Sequence, residues 1–101
     1  MKNFKFIFFF LLVFNIHFSQ TNVNSDEEAQ KLFTIASTNF YNLNNKESIK
    51  QTEKILTYSL KKQNFELAAK AYNLLGLNFE QFTDYKKAIK LYKEEYYVLP
   101  K

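Results

Sequence analysis

The stretch 71-AYNLLGLNFEQFTDYKKAIKLY-92 reads as helix almost throughout, yet it holds Gly76, the sole glycine of 101 residues. A glycine inside a helix costs about 1 kcal/mol relative to alanine. A chain that otherwise avoids glycine therefore needs a reason to place one there. Close approach of a neighbouring helix supplies such a reason, because helix axes lie about 8–10 Å apart according to the side chains between them.

The rest of the chain reads as four helices. Ser25 and Glu28 form a capping box that opens the first. Ala29, Leu32, Phe33, Ala36, Phe40 and Leu43 follow on one face, and 42-NLNN-45 ends the helix. Asn44 and Glu47 make a second cap-like pair. Ile49, Thr52, Ile55, Leu56, Tyr58 and Leu60 then mark a helix to about Lys62, broken at Gln63-Asn64. A third helix runs from about Phe65 to Phe82, with Leu67, Ala68, Ala71, Tyr72, Leu75 and Phe79 on its buried side. Asp84 caps a fourth, from Tyr85 to about Val98, which Pro100 stops. No segment alternates as a strand does. Connections of three to five residues imply antiparallel neighbours, so the fold class is all-α, two helical hairpins in succession.

The third and fourth helices carry Tyr72-x-x-Leu75-Gly76-x-x-Phe79, then Ala88-x-x-x-Tyr92, then Pro100. Twelve residues separate Gly76 from Ala88, and twelve more lead to Pro100. This pattern resembles the tetratricopeptide repeat, a helix–turn–helix unit with the same order of aromatic, Leu-Gly, small and closing proline residues. Glu95 departs from it, standing where the family usually has a small apolar residue. A weaker copy lies forty residues upstream. Leu32, Ile35, Ala36 and Ser48 align with Tyr72, Leu75, Gly76 and Ala88, and Lys46, Ile49 and Lys50 with Lys86, Ile89 and Lys90. An unrelated capping hairpin is the alternative for that segment.

The resemblance implies a short α-solenoid in which Tyr72, Leu75, Gly76, Phe79, Ala88, Tyr92 and Pro100 pack the repeat, with Gly76 facing Ala88. It also implies a concave groove for a protein or peptide partner. Carried onto the matching positions, Lys70, Asn73, Leu77, Glu80 and Gln81 are the candidate groove residues; the alternative is that they are merely exposed.

The N-terminus has its own logic. Lys2 and Lys5 precede nine unbroken apolar residues, Phe6 to Phe14, and Ser19-Gln20 offers a cleavage point. That is the layout of a signal peptide, with a short buried or membrane-dipping helix as the alternative. The apolar run is shorter than the roughly 20 residues a membrane span needs. The expected organisation is thus a signal peptide over 1–19, a flexible lead over 20–25, a degenerate repeat-like hairpin over 26–62 and a full hairpin over 63–101. The mature chain is expected to be periplasmic or secreted.

Composition narrows the chemistry. Lys2 and Lys5 leave with the leader, so twelve lysines face ten acids and the net charge falls from +4 to +2. Arginine, the preferred bidentate reader of phosphate and guanine, is absent, which argues against nucleic-acid binding. His17 is the one histidine and there is no cysteine, so the mature chain has no such group for nucleophilic or metal chemistry. No glycine-rich loop is present to cradle phosphate. The acidic runs 26-DEE-28 and 94-EE-95 and the lysine pairs at 61–62 and 86–87 read as solvated surface. Tyr96-Tyr97 suits contact with a following helix.

The expected function is an exported, non-enzymatic interaction module without cofactor or metal. The alternative is the N-terminal periplasmic part of a sensor, a histidine kinase or helix-turn-helix regulator, cut short. Self-association through the uncapped last helix is a further expectation.

Overall fold

The computed structural model describes residues 22–101. The expected signal peptide, its cleavage point and His17 lie outside the described residues. Four helices follow one another: α1 (Asp26–Tyr41), α2 (Asn45–Lys61), α3 (Phe65–Gln81) and α4 (Tyr85–Val98). Among the described residues there is no strand, and none of the helices is long and apolar enough to cross a membrane. Each helix packs on its neighbours in sequence, and α1 also touches α3.

The starts and stops are local chemistry. Ser25 Oγ accepts from the Glu28 amide at 3.1 Å, as the capping box requires. Asp84 Oδ1 accepts from the Lys87 amide at 3.2 Å and Asn64 Oδ1 from the Leu67 amide at 3.2 Å. Asn44 departs from expectation: it holds the N-cap position of α2 without a side-chain cap bond. Its amide instead donates to Asn39 Oδ1 at 3.4 Å.

The three turns are copies of one another. Leu43, Gln63 and Thr83 adopt φ of 63°, 58° and 60°. The next residue in each case donates its amide to the carbonyl five residues back: Asn44 to Asn39 at 2.8 Å, Asn64 to Ser59 at 2.8 Å, Asp84 to Phe79 at 2.9 Å. This is the Schellman closure, normally built with glycine. Leu43, expected on the buried face of α1, is instead 73% exposed in its turn.

A left-handed residue other than glycine costs about 1–2 kcal/mol, and β-branched Thr83 is the most strained of the three. Thr83→Gly should raise stability by about 1 kcal/mol, hence the melting temperature by about 4–8 °C. A thermal melt followed by circular dichroism checks this.

The core forms where the helices meet. Ala29, Ile55, Leu67 and Ala71 make one cluster, with Val23, Leu32, Phe33, Leu56 and Tyr58 against it. Val23 thereby ties the lead to the body of the domain. Ala36, Phe40 and Leu74 make a second cluster, with Phe33 and Leu77 alongside. Helix α3 is buried on more than one side: Leu67, Ala68, Ala69, Ala71, Leu74, Leu75, Gly76 and Asn78 are all covered. It carries the packing against α2 and against α4 at once.

Gly76 lies against α4, and the side chain that sets the fit is Tyr92 rather than Ala88. A Cβ built on Gly76 would fall 2.8 Å from Tyr92 Cδ1 and 2.9 Å from Cζ. Ala88 is buried one turn earlier on α4. The tyrosine ring thus lies against the backbone of α3 at Gly76, held at its far end by Tyr92 Oη donating to Glu80 Oε1 at 2.7 Å.

Candidate functional site

A cavity of about 430 Å³ opens between α1, α3 and α4, lined by Phe33, Glu66, Ala69, Lys70, Asn73, Glu95 and Leu99. Each lining residue follows from the packing. Phe33 comes from α1 where it crosses α3, and small Ala69 leaves room for the hollow. Glu95 and Leu99 arrive from the C-terminal end of α4, which runs back toward the start of α3. Asn73 Nδ2 donates to Glu95 Oε1 at 3.1 Å, tying α3 to α4 along one edge. Lys70 and Glu66 are exposed beside that pair. The hollow therefore has apolar carbon from Phe33, Ala69 and Leu99 and a polar rim of both charge signs.

The five expected groove residues do not share one fate. Lys70 and Asn73 line the cavity. Leu77 turns to the cluster of Ala36, Phe40 and Leu74. Glu80 accepts the Tyr92 hydroxyl, and Gln81 Oε1 accepts from Asn45 Nδ2. The last two are exposed yet engaged within the molecule. Glu95, read from sequence as solvated surface, is half-buried and bonded, so that reading is corrected. Asp26 is exposed, and it accepts from Tyr58 Oη at 2.7 Å and from Asn64 Nδ2 at 3.5 Å. Phe33 gave no sign of this role, because its spacing on α1 marks it only as core.

A buried polar network at the joint between the hairpins also escaped the sequence. Asn45 Nδ2 donates to Asn78 Oδ1 at 2.9 Å, and Asn78 Nδ2 donates to Ser48 Oγ at 3.0 Å and to the Leu74 carbonyl at 2.9 Å. Thr52 Oγ1 completes it by donating to the Ser48 carbonyl at 2.6 Å. No buried side-chain nitrogen or oxygen among the described residues lacks a partner. Such networks are costly when broken and rigidify when whole.

A second hollow, about 680 Å³, is open and lysine-rich, bounded by Asn22 to Asn24 and by Lys50, Lys54, Lys61 and Lys62 of α2 and its end. Among the described residues no three His, Asp or Glu side chains gather as a metal site would require.

Tyrosine ionisation follows the packing. Burial first, then the hydrogen bond to Glu80, pushes the Tyr92 phenol up to about 12. The folded state holds that proton more tightly than the unfolded chain, whose phenol titrates near 10.0. Its contribution is complete below the unfolded value and is lost as pH rises through about 12. Urea melts across that window should show stability falling, with a shallower fall in Tyr92→Phe.

Comparison with family models, curated proteins and solved structures returned no match.

Proposed function

We propose that this chain is an exported, non-enzymatic interaction module that seats an extended partner segment across α1 and α3. The observation that carries the reading is the cavity in which Lys70 and Asn73 stand beside Phe33, Ala69 and Leu99. Apolar floor with a few convergent polar groups is the usual make-up of a ligand-binding hollow. An apolar side chain of the partner would enter between Phe33 and Leu99. Lys70, Asn73, Glu66 and Glu95 would select the polar groups on either side.

The fold is read as a short α-solenoid of two repeats, as the resemblance to tetratricopeptide repeats implies. Support comes from the forty-residue equivalence. Ala36 and Gly76 are both buried, as are Ser48 and Ala88, and the turns repeat at Leu43, Gln63 and Thr83. Helix α1 also behaves as the first of a stack. The positions by which α3 meets the first hairpin, namely Leu67, Ala71, Leu74 and Asn78, correspond on α1 to Glu27, Lys31, Thr34 and Thr38. All four are exposed, and Lys31 pairs with Glu27 at 3.5 Å. A polar outer face suits a terminal repeat.

The test is a selection of displayed random peptides against the full chain, followed by titration of the enriched peptides. Asn73→Arg and Glu95→Ala should each weaken them by about tenfold or more, the loss of about 1.4 kcal/mol of binding. Unchanged affinity in both variants would move the binding surface elsewhere.

A further inference from the structure

The outer flank of α4 carries a seam that the fold leaves uncovered. Tyr85, Ile89, Tyr92, Tyr96 and Leu99 recur at alternating intervals of four and three, the spacing of the a and d positions of a heptad. Forty residues earlier the same seam on α2 is Asn45, Ile49, Thr52, Leu56 and Ser59. There the seam is covered: Asn45, Thr52 and Ser59 are buried and Ile49 and Leu56 half-buried, with Leu56 against the cluster that holds Leu67 and Ala71 of α3. Asn45 bonds directly to Asn78 of α3. On α4 Tyr92 is held by Glu80, and the Tyr96 ring carries Lys101 Nζ 3.9 Å from its centroid, but no helix covers the seam. Tyr85 is 58% exposed, Ile89 54% and Tyr96 63%. The surface that α2 presents to a helix is thus presented again by α4, in larger and more apolar side chains.

Charge identifies what fits. Lys86 and Lys93 occupy both e positions beside the seam, and both are exposed. The g side holds Ala88, which is buried, and Glu95, which is committed to Asn73. A second copy meeting this face antiparallel would set Lys86 and Lys93 against the same two lysines, because antiparallel helices pair e with e. A parallel copy would need the g side, which α3 already occupies. A helix with carboxylates along its flank satisfies both lysines.

We propose that the outer flank of α4 is a docking surface for an amphipathic helix with an apolar seam and an acidic edge. The surface meets the cavity only at Leu99, its last position; Tyr85, Ile89 and Tyr96 do not line it. Burial of the seam supplies affinity, and Lys86 and Lys93 supply partner choice and salt dependence.

The probe is a labelled synthetic peptide of about three heptads, leucine at a and d and glutamate at e and g, with a twin carrying lysine at e and g. Anisotropy titrations use the full chain. The glutamate peptide should bind at least about tenfold more tightly than the lysine twin, and the margin should shrink with added salt. Ile89→Asp or Tyr96→Asp should weaken it by about tenfold or more, with an unchanged thermal melt because both positions are exposed. The double variant Lys86→Glu, Lys93→Glu should reverse the preference toward the lysine twin. Equal affinity for the two peptides would overturn the proposal. So would a dimer in sedimentation that Ile89→Asp dissociates and the peptide leaves intact. Retention on phosphatidylcholine vesicles containing phosphatidylserine, without binding of the glutamate peptide, would overturn it in favour of a membrane surface.

Discussion

Gly76→Ala should destabilise the protein by about 1–2 kcal/mol, although alanine is the better helix former by about 1 kcal/mol. The added methyl meets the Tyr92 ring 2.8 Å away at Cδ1 and 2.9 Å at Cζ. The ring has little freedom to yield, because its hydroxyl is bonded to Glu80 on the same helix as the glycine. Gly76→Leu should cost more than about 3 kcal/mol, since the whole side chain must displace the ring. Removing the ring reverses the sign. In a Tyr92→Ala background, Gly76→Ala should stabilise by about 1 kcal/mol, the plain helix-propensity gain. Denaturant melts of the four proteins form a cycle with a coupling of about 2–3 kcal/mol. Additive effects would mean that the ring does not lie on the glycine.

Asn78→Leu, which keeps the branched outline of the side chain and improves helix propensity, should cost about 3 kcal/mol. The substitution removes the acceptor for Asn45 Nδ2 and the donor to Ser48 Oγ. Both partners are buried. Since Asn45 and Ser48 belong to the first hairpin and Asn78 to the second, the loss falls on the joint between them. The unfolding transition should broaden as the hairpins come apart at different denaturant concentrations. Replacing Asn45 and Asn78 together should cost less than the two single changes summed, because no donor is then stranded. Far-ultraviolet circular dichroism across a urea titration measures both effects.

The helices were legible because their punctuation is local. Asn44, Asn64 and Asp84 precede helix starts, and the three-residue connections leave few alternatives to antiparallel hairpins. What was not legible depends on tertiary neighbours. Nothing in Leu43, Gln63 or Thr83 as residue types announces a positive φ, which the chain accepts because the helices on either side must reverse there. Asn78 sits at a buried stripe position and reads alone as a surface residue; only the arrival of Asn45 and Ser48 makes it a core group. The glycine reads as a packing point and spacing points to Ala88 as its partner; the side chain nearest to it in the fold is Tyr92. At the equivalent positions of the first hairpin stand Ala36 and Thr52, a smaller pair of side chains that needs no glycine.

The candidate site was legible by halves. Lys70 and Asn73 came from the repeat register and line the cavity. Phe33 and Glu95 depend on where α1 and the end of α4 cross α3, which no local pattern encodes. Glu80 and Gln81 looked free in sequence and are held by Tyr92 and Asn45.

Helix α3 serves two neighbours at once, with Tyr92 on its Gly76 side and Asn45 and Ser48 on its Asn78 side. One nuclear Overhauser spectrum of the folded chain reads both. The Gly76 Hα protons should carry a ring-current shift from Tyr92 and show cross-peaks to its ring protons. The Asn78 side-chain amide should show cross-peaks to Asn45 and Ser48. Gly76 Hα at ordinary helical shifts, with its cross-peaks going to the Ala88 methyl group and none to Tyr92, would contradict the account.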